Sequence, residues 1–279
     1  MRPRACVSRI AALAAALALC EAAAIPRHAA AAFELRDASP AALGAVSMDQ
    51  EPHGFFEDAA QRGLGLTASH ASLYGVDGLT AEEACGSFAT STIRVDLSHA
   101  QVGAPGVREH ATCLTMREAG ALPVALSIRA ERLVLALEGE PRIGVWALGS
   151  GVLSRASLRG VRVEVGLAAD RVLRRGEPGR IAVQPSVPWT IRLHARGASL
   201  VFADRWEGDG RTSPRVSLDV RAGRALALRF GRGERPGRTG AAAALRAGRV
   251  EVAVGRQDDE HGGSVSSVAV TLLPASPKP

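Results

Sequence analysis

Apolar and polar positions alternate with a period of two along much of the chain, most clearly between Pro214 and Leu273. Val216, Leu218 and Val220 alternate with Ser217, Asp219 and Arg221, and Ala222-Gly223 then turns the chain. Leu226, Leu228 and Phe230 return with Arg229 on the opposite face, and Ala241–Leu245 leads into the short turn Arg246-Ala247-Gly248. Val250, Val252 and Val254 alternate next with Glu251, Ala253 and Gly255. Gln257–Gly263 reads as a polar loop, and Val268, Val270 and Leu272 close the series. Alternating runs of this length, separated by Gly-rich turns, predict antiparallel strands joined as hairpins.

The same pattern extends upstream. Ile93, Val95 and Leu97 oppose Arg94, Asp96 and Ser98, and Val107 to Arg117 returns after Gly103–Gly106. Leu133–Leu137 and Ile143–Leu148 flank a turn at Glu138–Arg142, and Val161, Val163 and Val165 oppose Arg162 and Glu164. Trp189, Ile191 and Leu193 oppose Thr190, Arg192 and His194. Leu64–Val76 opens the series, Thr80–Ala84 reads as a helical turn or loop, and Arg174–Arg180 and Arg232–Arg238 read as basic loops. After Ala84 no segment with a 3.6-residue period is long enough for a core helix, which argues against α/β classes. The expected fold is all-β: an antiparallel up-and-down meander of roughly 12 strands over residues 63–273, closed into a single barrel.

Two architectures give strands with one aliphatic and one charged face. In a soluble periplasmic or secreted sandwich or barrel the aliphatic face is the core and the charges are solvated. In a transmembrane barrel the order inverts, and Arg94, Asp96, Arg162, Glu164, Arg192, His194, Asp219, Arg229 and Glu251 become candidate lumen-lining residues. Aromatic residues make up 4% of the chain, few for two interfacial girdles. Several strands also read as shorter than the 9–11 residues a crossing needs.

The start of the chain supplies an address. Arg2, Arg4 and Arg9 precede the small apolar run Ile10–Ala24, the pattern of a secretory leader over residues 1–24, with cleavage as late as Ala32. The formal charge is +6, and half of that excess belongs to this leader. The remainder is too weak for a nucleic-acid surface. Residues 33–62 read as an N-terminal segment, amphipathic at its start and then a loop or plug-like insert, and 274–279 as a disordered tail. Beyond the leader, Cys85 and Cys113 remain; an exported compartment permits a disulfide, but spacing does not decide between a bridge and two thiols.

Phe33–Arg36 through Ala42–Ala45, together with Leu226–Gly231, Pro236, Gly240–Leu245 and His261–Ser264, resembles the opening segment and closing hairpins of bacterial outer-membrane barrels related to the long-chain fatty-acid transporters and type IX secretion shuttles. The resemblance implies an outer-membrane location, the lipid bilayer as partner, a hydrophobic small molecule as solute, and a non-enzymatic role as pore, carrier or envelope assembly component.

Catalytic and metal-binding patterns are not assembled by the sequence. His53, His70, His99, His110, His194 and His261 lie on separate elements without metal-ligand spacing. Asp258-Asp259-Glu260-His261 is the best candidate for a divalent cation, and Asp204–Gly210 a weaker one. Ser150, in Gly149-Ser150-Gly151, has no strand–turn–helix context for a nucleophile. An exported hydrolase is therefore disfavoured, and neither a catalytic set, a metal nor a cofactor is expected.

Overall fold

A computed structural model describes residues 63–119, 123–176, 183, 185–208, 210–223, 225–234, 237–260 and 263–273. The leader, the segment 33–62 and the tail lie outside the described residues.

The described chain is a meander in strict order. Its strands are β1 (Gly63–Ser72), β2 (Thr80–Ala89), β3 (Ile93–Ala104), β4 (Val107–Glu118), β5 (Val124–Leu137), β6 (Ile143–Leu158) and β7 (Val161–Gly176). They continue with β8 (Ser186–Ala195), β9 (Ala198–Glu207), β10 (Arg215–Ala222), β11 (Leu226–Gly233), β12 (Arg238–Ala247), β13 (Val250–Asp259) and β14 (Gly263–Leu272). Each pairs antiparallel with its sequence neighbours, and β1 pairs with β14, so the sheet closes into one barrel. Closure leaves no edge strand with unpaired backbone groups. The two-layer sandwich is not what forms.

The strand number is 14, above the roughly 12 expected, because two strands carry little alternation. On β2 the face bearing Glu82, Ala84 and Gly86 has no aliphatic run, and Thr80–Ala84 is strand rather than helical turn. On β12 alanines occupy both faces, so no period of two exists to be read. Strand ends also differ. Arg174 and Arg175 belong to β7, Arg232 to β11 and Arg238 to β12, and Gln257 to Asp259 complete β13 rather than a loop. Most strands reach 10–16 residues, with β10 and β11 at 8.

Burial fixes which side is which. Leu66, Val252, Val254, Val268, Val270 and Leu272 are exposed, whereas their alternates Ala71, Ala253, Val265, Gln257 and Ala269 are buried. Register carries this face from strand to strand: Leu66 pairs with Leu272 and Leu272 with Val250. The aliphatic stripe therefore runs around the outside and the polar stripe around the inside.

The connections are uneven. At the end where the described chain enters β1 and leaves β14, strands are joined through 90–92, 119–123, 159–160, 196–197, 223–225 and 248–249. At the opposite end the connections include 73–79, 138–142, 177–185 and 208–214. The three tryptophans lie toward this second end: Trp146 near the start of β6, Trp189 near the start of β8 and Trp206 near the end of β9.

Candidate functional site: the barrel interior

The inward face is built from charged groups on one side and small residues on the other. Arg129 on β5 is the largest fully buried side chain. Its Nη2 lies 3.0 Å from Glu131 Oε1 and its Nη1 3.6 Å from Asp170 Oδ2, while its Nε donates to Cys113 Sγ at 3.0 Å. The other oxygen of Glu131 accepts from Arg171 Nε at 2.9 Å. Two guanidiniums and two carboxylates thus neutralise each other, with Arg129, Glu131 and Asp170 buried and Arg171 at the edge at 14% exposure, the pairing that buried charge requires.

A bulge makes that network possible. Ser150 pairs with Ala169 but Leu148 with Leu173, so residues 170–172 of β7 oppose Gly149 of β6. Arg171 takes φ 57° within this bulge. Extra residues of this kind re-aim side chains, and here they bring Asp170 and Arg171 onto the same network. Gly149 is needed opposite them: a Cβ there would meet Ala169 O at 2.9 Å and Asp170 Oδ1 at 3.0 Å.

The residues singled out by the sequence fall into four groups. Asp96 is buried between Arg94 (2.8 Å) and Arg117 (3.4 Å). Glu164 is fully buried and faces Arg155, Arg162 and His194 at 3.4, 3.5 and 3.4 Å, with Arg192 its register partner on β8. Arg229 pairs with Asp219 through two guanidinium nitrogens. Glu251 accepts from Arg246 at 2.6 and 3.0 Å. The sequence reading did not single out Arg117, Arg129, Glu131, Arg155, Asp170, Arg171 or Arg246. The alternation Ile128, Arg129, Ala130, Glu131 carried the signal for two of them.

The opposite wall is different in kind. Inward positions there include Ala227 and Gly231 on β11, Gly240, Ala242 and Ala244 on β12, Gly255 on β13 and Ser267 on β14, by alternation from their buried and paired neighbours. Charged side chains on this wall are wet toward the short-turn end, where Asp219 and Arg229 are 27% and 33% exposed and Arg246 and Glu251 32% and 26%, whereas Arg238 and Asp259, toward the other end, are 16% and 8%. On the β3–β7 wall, Asp96, Arg129, Glu131 and Glu164 are at 1–2%. Solvent thus reaches the short-turn end of the interior, where Arg162 on β7 is also 40% exposed. Near the end with the longer connections, two apolar clusters thicken the wall, one over β14 and β1–β3 and the other over β4–β6. Leu73 and Leu79 pack with Val102 and Val265, and Val183 packs with Leu133, Ile143 and Val145.

Other sequence candidates separate. Cys85 and Cys113 both flank Ser98 in register, with β3 between them, and both are free thiols. Two inter-strand steps of about 4.8 Å exceed the roughly 7 Å limit on Cα separation in a disulfide. Asp258 and Asp259 alternate on β13 and are held by different arginines, Arg256 and Arg238, so they do not converge on one cation. Asp204 Oδ1 accepts from the backbone N–H groups of Arg205 and Ser213, a turn-forming role. Among the described residues no group of three or more metal-ligating side chains converges.

No family model and no curated protein matches this chain. Among solved structures, the CymD monoaromatic hydrocarbon channel is similar at a TM-score of 0.50 and 10% identity, over 77% of this chain and 90% of that one. A KdgM porin in complex with disordered oligogalacturonate is similar at 0.42 and 6% identity, over 75% and 98%. A porin from Rh. blastica gives 0.40 and 9% identity, over 75% and 98%. At such identities the likeness to CymD is one of fold: an all-β barrel of the kind that channel forms.

Proposed function

We propose that this chain is an outer-membrane β-barrel that acts as a passive, non-enzymatic pore for small polar solutes. One observation carries the reading. A closed ladder exposes leucine and valine outward and turns charge inward, and water reaches the inward Asp219, Arg229, Arg246 and Glu251. In water an aliphatic exterior of this extent would be a strong association surface. In a bilayer it is the surface the solvent requires, and closure leaves no open sheet edge in hydrocarbon. Fourteen strands also exceed the eight or so at which side chains just fill a barrel.

The connections support an orientation. Outer-membrane barrels keep short turns on the periplasmic side and longer loops outside, so 159–160, 196–197 and 248–249 face the periplasm in this reading. Trp146, Trp189 and Trp206 then mark the outer interface, where indole rings concentrate. Arg132 lies over Trp146 at 5.6 Å from the ring centroid.

A second reading, carriage of a hydrophobic small molecule, draws on the apolar clusters around Leu73 and Leu133 at the outer mouth and on the resemblance to fatty-acid transporters. Reconstitution separates the two. Proteoliposomes containing the pore swell in small sugars and planar bilayers show stepwise conductance. A carrier gives neither, yet accumulates an apolar probe such as toluene.

A further inference from the structure

Resting on the outer-membrane reading, we infer that the outward face of β3–β7 carries a docking site for an anionic lipid of the outer leaflet, held by its headgroup phosphate. Register defines the floor and the rim of this site. Leu97, Leu114, Ala130, Leu148 and Leu173 are partners in one row across the five strands. The four leucines are 41–59% exposed, so the row faces outward. Two residues farther from the short turns on each strand, the next outward row is His99, Thr112, Arg132, Trp146 and Arg175. Aliphatic side chains thus give way to cationic ones within a single step. An indole at that step marks the level where hydrocarbon meets headgroups.

Arg132 lies over Trp146 at 5.6 Å from the ring centroid, and Arg175 is the register partner of Trp146 on its other side. The two guanidinium-bearing strands are two steps apart, about 10 Å at the backbone. His99 Nδ1 lies 2.9 Å from Thr112 Oγ1, and the His99 and His110 rings are 5.8 Å apart. The positive charges of Arg108 on β4 and Arg142 in the 138–142 connection both reach His110. No carboxylate shares the row with Arg132 and Arg175. Among the described residues, none of Arg108, Arg132, Arg142 and Arg175 is in an ion pair. The acids nearest this corner are Glu138 and Glu140, in the same connection as Arg142, and Glu82 on β2, which faces His70 at 3.6 Å. On β13, by contrast, the cation that follows the aliphatic stripe is matched: Arg256 pairs with Asp258 at 3.1 Å. Guanidinium forks suit phosphate oxygens, and the leucine row beneath offers acyl chains a surface. A phosphate-bearing lipid satisfies both levels at once, whereas a free phosphate would meet only the rim.

The test uses the full chain as recovered from cells, inserted into phosphatidylcholine vesicles in which a minority of the lipid carries brominated acyl chains. Bromine quenches tryptophan on contact, and Trp146 sits in the site. Brominated phosphatidic acid is expected to quench several-fold more than the same fraction of brominated phosphatidylcholine. In Arg132→Gln/Arg175→Gln the preference is expected to fall about fivefold for each arginine lost, with heat-modifiable gel mobility showing that the variant still closes. Arg232→Gln/Arg256→Gln, on β11 and β13, is expected to keep the wild-type preference. Equal quenching of the wild type by the two lipids overturns the inference while leaving the membrane barrel intact. An undiminished preference in the folded Arg132→Gln/Arg175→Gln variant, or an equal loss in Arg232→Gln/Arg256→Gln, overturns it as well. Failure of the chain to enter the vesicles overturns the outer-membrane reading and this inference together.

Discussion

Arg129 on β5 reaches Asp170 on β7 across an intervening strand, and it does so over Gly149, its register partner on β6. The missing side chain at Gly149 is what lets the two charges meet, since a Cβ there would sit 3.0 Å from Asp170 Oδ1. The bulge, the glycine and the ion pair are one device, and each can be tested separately.

Gly149→Val adds bulk against Ala169 O and Asp170. Forced overpacking of this kind costs about 1–3 kcal/mol. The variant is expected to convert from its compact to its unfolded gel form at a temperature several degrees below wild type, measured by heat-modifiable mobility after detergent folding.

Arg129→Met leaves Glu131 and Asp170 short of the guanidinium they share. Removing one member of a buried charge network costs about 3–5 kcal/mol. Urea unfolding in lipid, followed by tryptophan fluorescence, is expected to show that loss. The double variant Arg129→Met/Asp170→Asn should recover part of it, because Glu131 keeps its pairing with Arg171 and the four-residue network is again neutral.

Val254 is 54% exposed on the outer stripe, next to the buried inward Ala253. If the outer stripe meets hydrocarbon, Val254→Arg costs about 2–4 kcal/mol near mid-bilayer. Folding onto phosphatidylcholine vesicles is expected to slow or fail for Val254→Arg and to proceed normally for Ala253→Ser. Equal behaviour of the two would mean that the outer stripe faces water.

Cys85 and Cys113 are separated by β3 and are both free thiols. Mass spectrometry of mature, air-oxidised protein without reductant, alkylated after unfolding, is expected to find both cysteines modified. An intact linkage between their peptides would contradict the register of β2, β3 and β4.

Much of the wall was legible in the sequence, because a period of two reports which residues share a face without any knowledge of partners. Val216, Leu218 and Val220 announce β10 with Asp219 on its other side, and Leu226, Leu228 and Phe230 announce β11 with Arg229 on its other side, with no long-range information. Two kinds of feature were not legible. Strands such as β12, with alanine on both faces, and β2, with Glu82 and Gly86 where an aliphatic would stand, carry no contrast for a pattern to show. The network around Arg129 depends on register across β5, β6 and β7 and on a bulge, so Asp170 and Gly149 have meaning only once the strands are aligned. The position of Cys113 beside Arg129 is of the same kind.

The central claim is that the closed sheet turns its leucines and valines toward lipid. Fractionation of cells expressing the full chain, with gel mobility compared before and after boiling, tests it most directly. The account predicts recovery in the outer-membrane fraction, release only by detergent, and a compact band that shifts on heating. Recovery in the osmotic-shock fluid as a detergent-free, freely soluble protein would contradict it.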